Sequence, residues 1–140
     1  MSLRGGSFQA DVSPDVVAGV PLIKGYGDDY FILANKQHSG AIMLHQSKVI
    51  SHKNIIKMDD LLKLFLADVL HDHAPDIFIF GTGKCMFFPP DVMRDAFAQA
   101  GIGFEFMDSR AAARTYNIIV SEGRTVSAFL FLPGTLVKHE

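Results

Sequence analysis

The chain has 140 residues, 49% of them hydrophobic and 20% charged, with a formal net charge of −2. That length suits one domain that buries about two thirds of its unfolded surface, and the composition excludes a disordered chain. The charge balance gives no drive toward nucleic acid, and no run reaches the ~18 apolar residues that would make an integral membrane protein.

Residues 1–19 are broken by Gly5, Gly6 and Pro14 and read as a loosely held N-terminal arm of a single domain spanning 1–140. The arm has no apolar signal core. Cys85 is the single cysteine, which rules out an internal disulfide and fits a reducing compartment. A cytoplasmic location is therefore expected. Val20–Ile23 and Tyr30–Leu33 are short apolar runs separated by Gly25-Tyr26-Gly27-Asp28-Asp29, where glycine and aspartate supply the turn of a hairpin. Ala41–Leu44 and Lys48–Ser51 read as two more strands joined through His45-Gln46-Ser47. The first third is thus an N-terminal antiparallel β element.

Asp59 or Asp60 caps a predicted helix with apolar positions Leu61, Leu62, Leu64, Phe65, Leu66, Val69 and Leu70, ending by Pro75. Ile77–Phe80 is apolar on both faces, the mark of a central strand covered on two sides. Pro89-Pro90 opens the next helix at its first turn. Met93, Ala96, Phe97 and Ala100 form its buried face, and Gly101 ends it. Phe104–Met107 is a strand. Asp108 or Ser109 caps the following helix, whose burial rests on Ile118, Ile119 and Val120, and which Gly123 ends. Thr125–Leu132 is the last strand. The order strand–helix–strand–helix–strand predicts an α/β fold with crossover units around a mixed sheet.

Two strand ends carry the groups with chemical potential. Gly81-Thr82-Gly83-Lys84 follows the buried strand, where glycines can expose N–H groups to an anion and Lys84 can add charge. It matches neither a P-loop nor a dinucleotide fingerprint, and a plain structural turn fits equally. Asp108 and Arg110 follow the next strand. Arg114 lies one helical turn beyond Arg110 on the same face. Arg110 sits in the first turn, where a cation opposes the helix dipole. A carboxylate, an anionic ligand or a partner must hold it. Tyr116 and Asn117 need hydrogen-bond partners wherever they are buried, in a structural network or in a site. Cys85 has no adjacent histidine and reads as dispensable. His71 and His73, two apart at a helix end, point in different directions, so no metal site is assigned. No catalytic residue and no cofactor is assigned.

The segments Ile23-Lys24-Gly25-Tyr26-Gly27, Pro75-Asp76, Gly81-Thr82-Gly83-Lys84, Met107-Asp108-Ser109-Arg110-Ala111-Ala112-Ala113-Arg114-Thr115-Tyr116-Asn117 and Ser121-Glu122-Gly123-Arg124 occur in that order. Together they resemble the Mth938-like family, also called DUF498, which includes the mitochondrial respiratory complex I assembly factor 3 and bacterial relatives. The resemblance covers roughly residues 15–133. Relatives often carry threonine at position 109 and cysteine at position 113. Ala113 here excludes cysteine chemistry at that place. The resemblance implies a three-layer α/β fold with a mixed central sheet and a β-hairpin extension, and it attaches no reaction. It implies a non-catalytic binding or assembly factor, acting on a protein partner through the cleft between the Gly81–Lys84 loop and the Arg110–Asn117 helix. The alternative is an enzyme or sensor for a small anionic metabolite in the same cleft.

Overall fold

The structure is a computed structural model, and residues 15–53, 57–58 and 73–139 are described. The predicted helix after Asp59 lies outside them, as do residues 1–14. Among the described residues, ten strands and two helices follow in chain order. They are β1 (Val16–Val17), β2 (Val20–Pro21), β3 (Gly25–Gly27), β4 (Tyr30–Leu33), β5 (Lys36–His38), β6 (Ala41–His45), β7 (Lys48–His52), β8 (Ile77–Gly81), α1 (Asp91–Gln99), β9 (Gly103–Met107), α2 (Ser109–Ser121) and β10 (Val126–Leu130). The main sheet has the order β7-β6-β10-β8-β9. β8 pairs parallel with β9 and with β10, while β6 pairs antiparallel with β10 and β7. The mixed sheet and the N-terminal hairpin element are as the sequence predicts.

Strand alternation divides the sheet into two unlike faces. Ile77, Ile79, Ala128, Leu130, Ile42 and Leu44 face an aliphatic core with Ala112, Ala113, Tyr116, Ile119 and Val120 of α2. Leu22 and Ile23, between β2 and β3, and Phe31 and Leu33 of β4 close that core. Phe78, Phe80, Phe129 and Phe131 face the other way, with Met93 and Phe97 of α1. Phe97 stacks on Phe78 at 4.7 Å and on Phe104 at 4.8 Å between ring centroids. Each such pair adds about 0.5–1.5 kcal/mol beyond burial. All five residues of β8 are buried, which explains why its sequence shows no polar position.

Several local expectations need correction. Gly25–Gly27 is itself a strand paired with β4, and only Asp28-Asp29 turns. β5, unforeseen, extends that pair into a three-stranded meander. Residues 16–19 are not a loose arm, because Val16 and Val17 pair with Pro21 and Val20. Pro90 is the N-cap of α1, one position outside the helix. Ala100 is exposed at the helix end. Ile118 is 58% exposed. It stands two residues, about 200° around the helix, from buried Tyr116.

Three hairpins turn through two residues that are both left-handed: Ala18-Gly19, Ala34-Asn35 and Gln46-Ser47. Two positive φ angles match the right-handed twist of the flanking strands. They come at a local conformational cost, since only Gly19 is a glycine.

Candidate functional site

The Gly81–Lys84 loop is closed by its own fold. The Thr82 amide donates to the carbonyl of Met107, and the Lys84 amide donates to that of Thr135, each at 2.8 Å. The Gly83 amide donates to Ser109 Oγ at 2.8 Å. The Thr82 hydroxyl donates to the carbonyls of Cys85 and Met107. The three N–H groups that the sequence offers to an anion are therefore engaged internally. The glycines serve close approach. A Cβ at Gly81 would meet Leu130 Cγ and Ser109 Oγ at 2.8 Å, and one at Gly83, whose φ is +91°, would meet the Thr135 carbonyl at 2.4 Å. Lys84 and Cys85 are exposed beside the loop.

The polar residues of α2 bind the N-terminal strands. Asp108 caps the helix by accepting from the Ala111 amide at 3.0 Å. Arg110 pairs with the carboxylate of Asp28 and donates to the Pro133 carbonyl at 3.2 Å. This meets the need for a carboxylate near that first-turn cation. Arg114 donates to the Tyr26 hydroxyl at 3.0 Å. Asn117 donates to the Ile23 carbonyl and accepts from the Ile23 amide, both at 2.8 Å. The Tyr116 hydroxyl donates to the Pro21 carbonyl at 3.1 Å, and burial pushes it well above the usual phenol range. Positions 110, 114 and 117 recur on one helical face. Their partners, residues 28, 26 and 23, descend along the antiparallel chain. These bonds form a clasp that joins the meander to the α/β layers.

A cavity of about 500 Å³ lies at the other end of the sheet, where β6 turns into β7 and where β8 and β10 begin. It is one five-residue strand, about 16 Å, from the glycine loop. Its apolar wall comes from Val17 and Val20 of the first hairpin, Val120 of α2, and Ala74, Pro75 and Val126. His45, Arg124, Thr125 and Ser127 add polar groups. The His45 Nδ1 lies 2.6 Å from Ser127 Oγ, across the antiparallel β6–β10 pair. Ser127 is only 1% exposed and sits within the sheet. The contact is a cross-strand hydrogen bond that satisfies a buried hydroxyl. Of the ligand-binding candidates that the sequence offers at the two strand ends, Tyr116 alone lines this cavity, together with His73, Pro75, Gly123 and Arg124, to which the sequence assigns no site. The other candidates divide between the glycine loop and the clasp. Ser127, a polar residue inside the apolar run Val126–Leu132, is the sequence signal that could have pointed here.

No group of three or more potential metal ligands is found among the described residues. No helix among them is long and apolar enough to cross a membrane.

Comparison with known proteins places the chain. The family described as a protein of unknown function (DUF498/DUF598) matches residues 23–131. A protein of Francisella tularensis subsp. holarctica, called a 13 kDa major membrane protein, is 31% identical over 109 residues, covering 76% of this chain and 87% of that protein. A solution structure of a Bordetella pertussis protein described as a Mth938-like domain is 27% identical, with a TM-score of 0.68. It covers 89% of this chain and 94% of that one. The crystal structure of an outer membrane protein from Bartonella henselae is 26% identical, again with a TM-score of 0.68, over 81% of this chain and 96% of that one. The chain belongs to the DUF498 family and has its Mth938-like fold.

Proposed function

From membership of a family with no assigned reaction, we propose that this protein is a non-catalytic binding protein whose ligand site is the cavity at the β6–β7 end of the sheet. The observation that carries this is the cavity itself. Its volume of about 500 Å³ falls within the roughly 300–1,000 Å³ of small-molecule sites, which pair apolar walls with a few polar groups. The binding reading of the whole protein is kept, while the site moves away from the cleft between the glycine loop and α2. There the loop amides and the α2 side chains already bond to the protein. An anionic metabolite in that cleft would rest on exposed side chains such as Lys84, which makes the metabolite-enzyme alternative the weaker one.

The test is thermal denaturation across a small-molecule panel, with the parent protein beside Ala74→Trp. Ala74 is an exposed loop residue on the cavity wall, so a large side chain there obstructs the site at little cost to the fold. Compounds that stabilise the parent and not the variant support the reading. If no compound distinguishes the two proteins, the cavity is not a site.

A second reading, an assembly role on a protein partner, is favoured by a different observation. Met86, Phe88 and Val92 stand 53%, 68% and 61% exposed on the loop before α1 and in its first turn. A contiguous patch of such side chains is the usual mark of an interaction surface, and these three are near one another in the chain. The resemblance to the family that holds the mitochondrial assembly factor adds to this reading, and two relatives are named as membrane proteins. Phe88→Ser would remove binding to such a partner, and Ala74→Trp would leave it intact.

A further inference from the structure

We propose that the cavity takes an amphiphile with one anionic head group, a medium-chain carboxylate in its simplest form, with Arg124 at the rim as the anchor for the head. This rests on the cavity being a ligand site. The chain as a whole carries more acids than lysines and arginines, 15 against 13. Yet the described residues lining the cavity include Arg124, His45 and His73, and among them is no aspartate or glutamate. The local charge balance is thus opposite in sign to that of the chain. Arg124 is exposed and has no carboxylate partner among the described residues. Arg94 and Arg110, by contrast, are each paired with an aspartate. A guanidinium at the mouth offers a fork of donors matched to a carboxylate. Below it, Val17, Val20, Val120 and Val126 offer an apolar wall to a hydrocarbon tail. Thr125 contributes less, since its hydroxyl oxygen already accepts from the Asp76 amide at 2.9 Å.

A structural role competes for the same residue. Arg124 follows the carbonyl end of α2, where a cation is favourable in the absence of any ligand. The two roles separate by head-group discrimination. A role at the helix end affects stability, whereas an anchor distinguishes a carboxylate from an uncharged head on the same tail.

The experiment is calorimetric titration of the full chain at pH 7.5 with octanoate, 1-octanol and octyltrimethylammonium. Octanoate should bind about tenfold or more tighter than 1-octanol, which is the value of one charge-assisted hydrogen bond, and the ammonium should bind more weakly than either. Arg124→Gln should bring octanoate down to the affinity of 1-octanol and leave 1-octanol unchanged. Ala74→Trp, or Val17→Trp should the first fold poorly, should weaken both by about tenfold or more. Equal affinity of the parent for octanoate and 1-octanol overturns the anionic-head assignment. A preference that survives Arg124→Gln overturns Arg124 as the anchor of the head. In both cases tail binding sensitive to Ala74→Trp would leave the cavity standing as a site. Absence of any binding sensitive to the two cavity substitutions overturns the site together with the head group.

Discussion

Replacing Asn117 by alanine removes both hydrogen bonds that hold Ile23 to α2. Ile23 is 4% exposed. It lies between β2 and β3, in neither strand, and its amide and carbonyl are both bonded by the Asn117 side chain. Each buried backbone group left without a partner costs about 1–3 kcal/mol. Partial entry of water reduces the sum, so the pair together should cost about 2–4 kcal/mol. For a chain of this length, that corresponds to a fall in Tm of roughly 7–14 °C. Urea denaturation followed by circular dichroism gives the midpoint, and an unchanged m-value shows that the change is in stability. Asn117→Asp keeps an acceptor for the Ile23 amide but places a carboxylate against the Ile23 carbonyl, so it should not rescue. Ile118→Ala, on the exposed side of the same helix, should remain within about 0.5 kcal/mol of the parent. An Asn117→Ala protein as stable as Ile118→Ala would refute the clasp.

Asp108→Ala should cost about 1 kcal/mol through loss of the α2 cap. Ser109→Ala should cost about 1–3 kcal/mol, because it strands the Gly83 amide. An unchanged urea midpoint in either protein contradicts the corresponding bond. Burial lowers the pKa of His38, with a further contribution from Lys36, and burial alone lowers that of His52. Both imidazoles are neutral in either state above the unfolded value of 6.5, and below it the unfolded chain takes up the proton first. Stability should therefore fall as pH drops from 6.5 through the folded values. A His38→Gln/His52→Gln protein should show a shallower loss between pH 7.5 and 5, and identical slopes would exclude these histidines as the cause. Replacing Gln46-Ser47 with Asn-Gly, residues suited to two positive φ angles, should raise stability by about 1 kcal/mol. A destabilised variant would show that the turn's side chains contribute more than its backbone strain costs.

The sheet was legible because its signals are local. Ile77–Phe80 alternates isoleucine and phenylalanine on two buried faces, and no other element fits such a run between Pro75 and Gly81. The start of α2 was equally plain, since Asp108 caps it in the structure as the sequence predicts. The hairpins were harder to read. The β4–β5 hairpin was missed because its left-handed turn falls on Ala34 and Asn35, where glycine would have announced it, whereas the turn at Gln46-Ser47 was read from the strands on either side. The roles of Arg110, Arg114 and Asn117 were out of reach for a different reason. Their partners lie 82, 88 and 94 residues earlier, and nothing along one helix says which distant carbonyl or hydroxyl it will meet. The cavity is assembled from a turn, a hairpin and the starts of two strands, none of which is a motif by itself.

The clasp also bears on the order in which the molecule can be made. Residues 21–28 leave the ribosome long before the helix that secures them, and Tyr116 reaches back 95 positions to Pro21. At about 5–20 residues per second, some ~90 residues of synthesis leave the meander without its anchor for on the order of 5–20 s. The main sheet waits longer, because β10, the last of its five strands in chain order, is the one that joins β6 to β8. Phe31 and Leu33, fully buried at the end, are uncovered throughout that interval. A ribosome-stalled chain ending near residue 105 should therefore bind trigger-factor-type chaperones through its first forty residues. A chain extended well past residue 130, with the sheet closed and the clasp engaged, should release them.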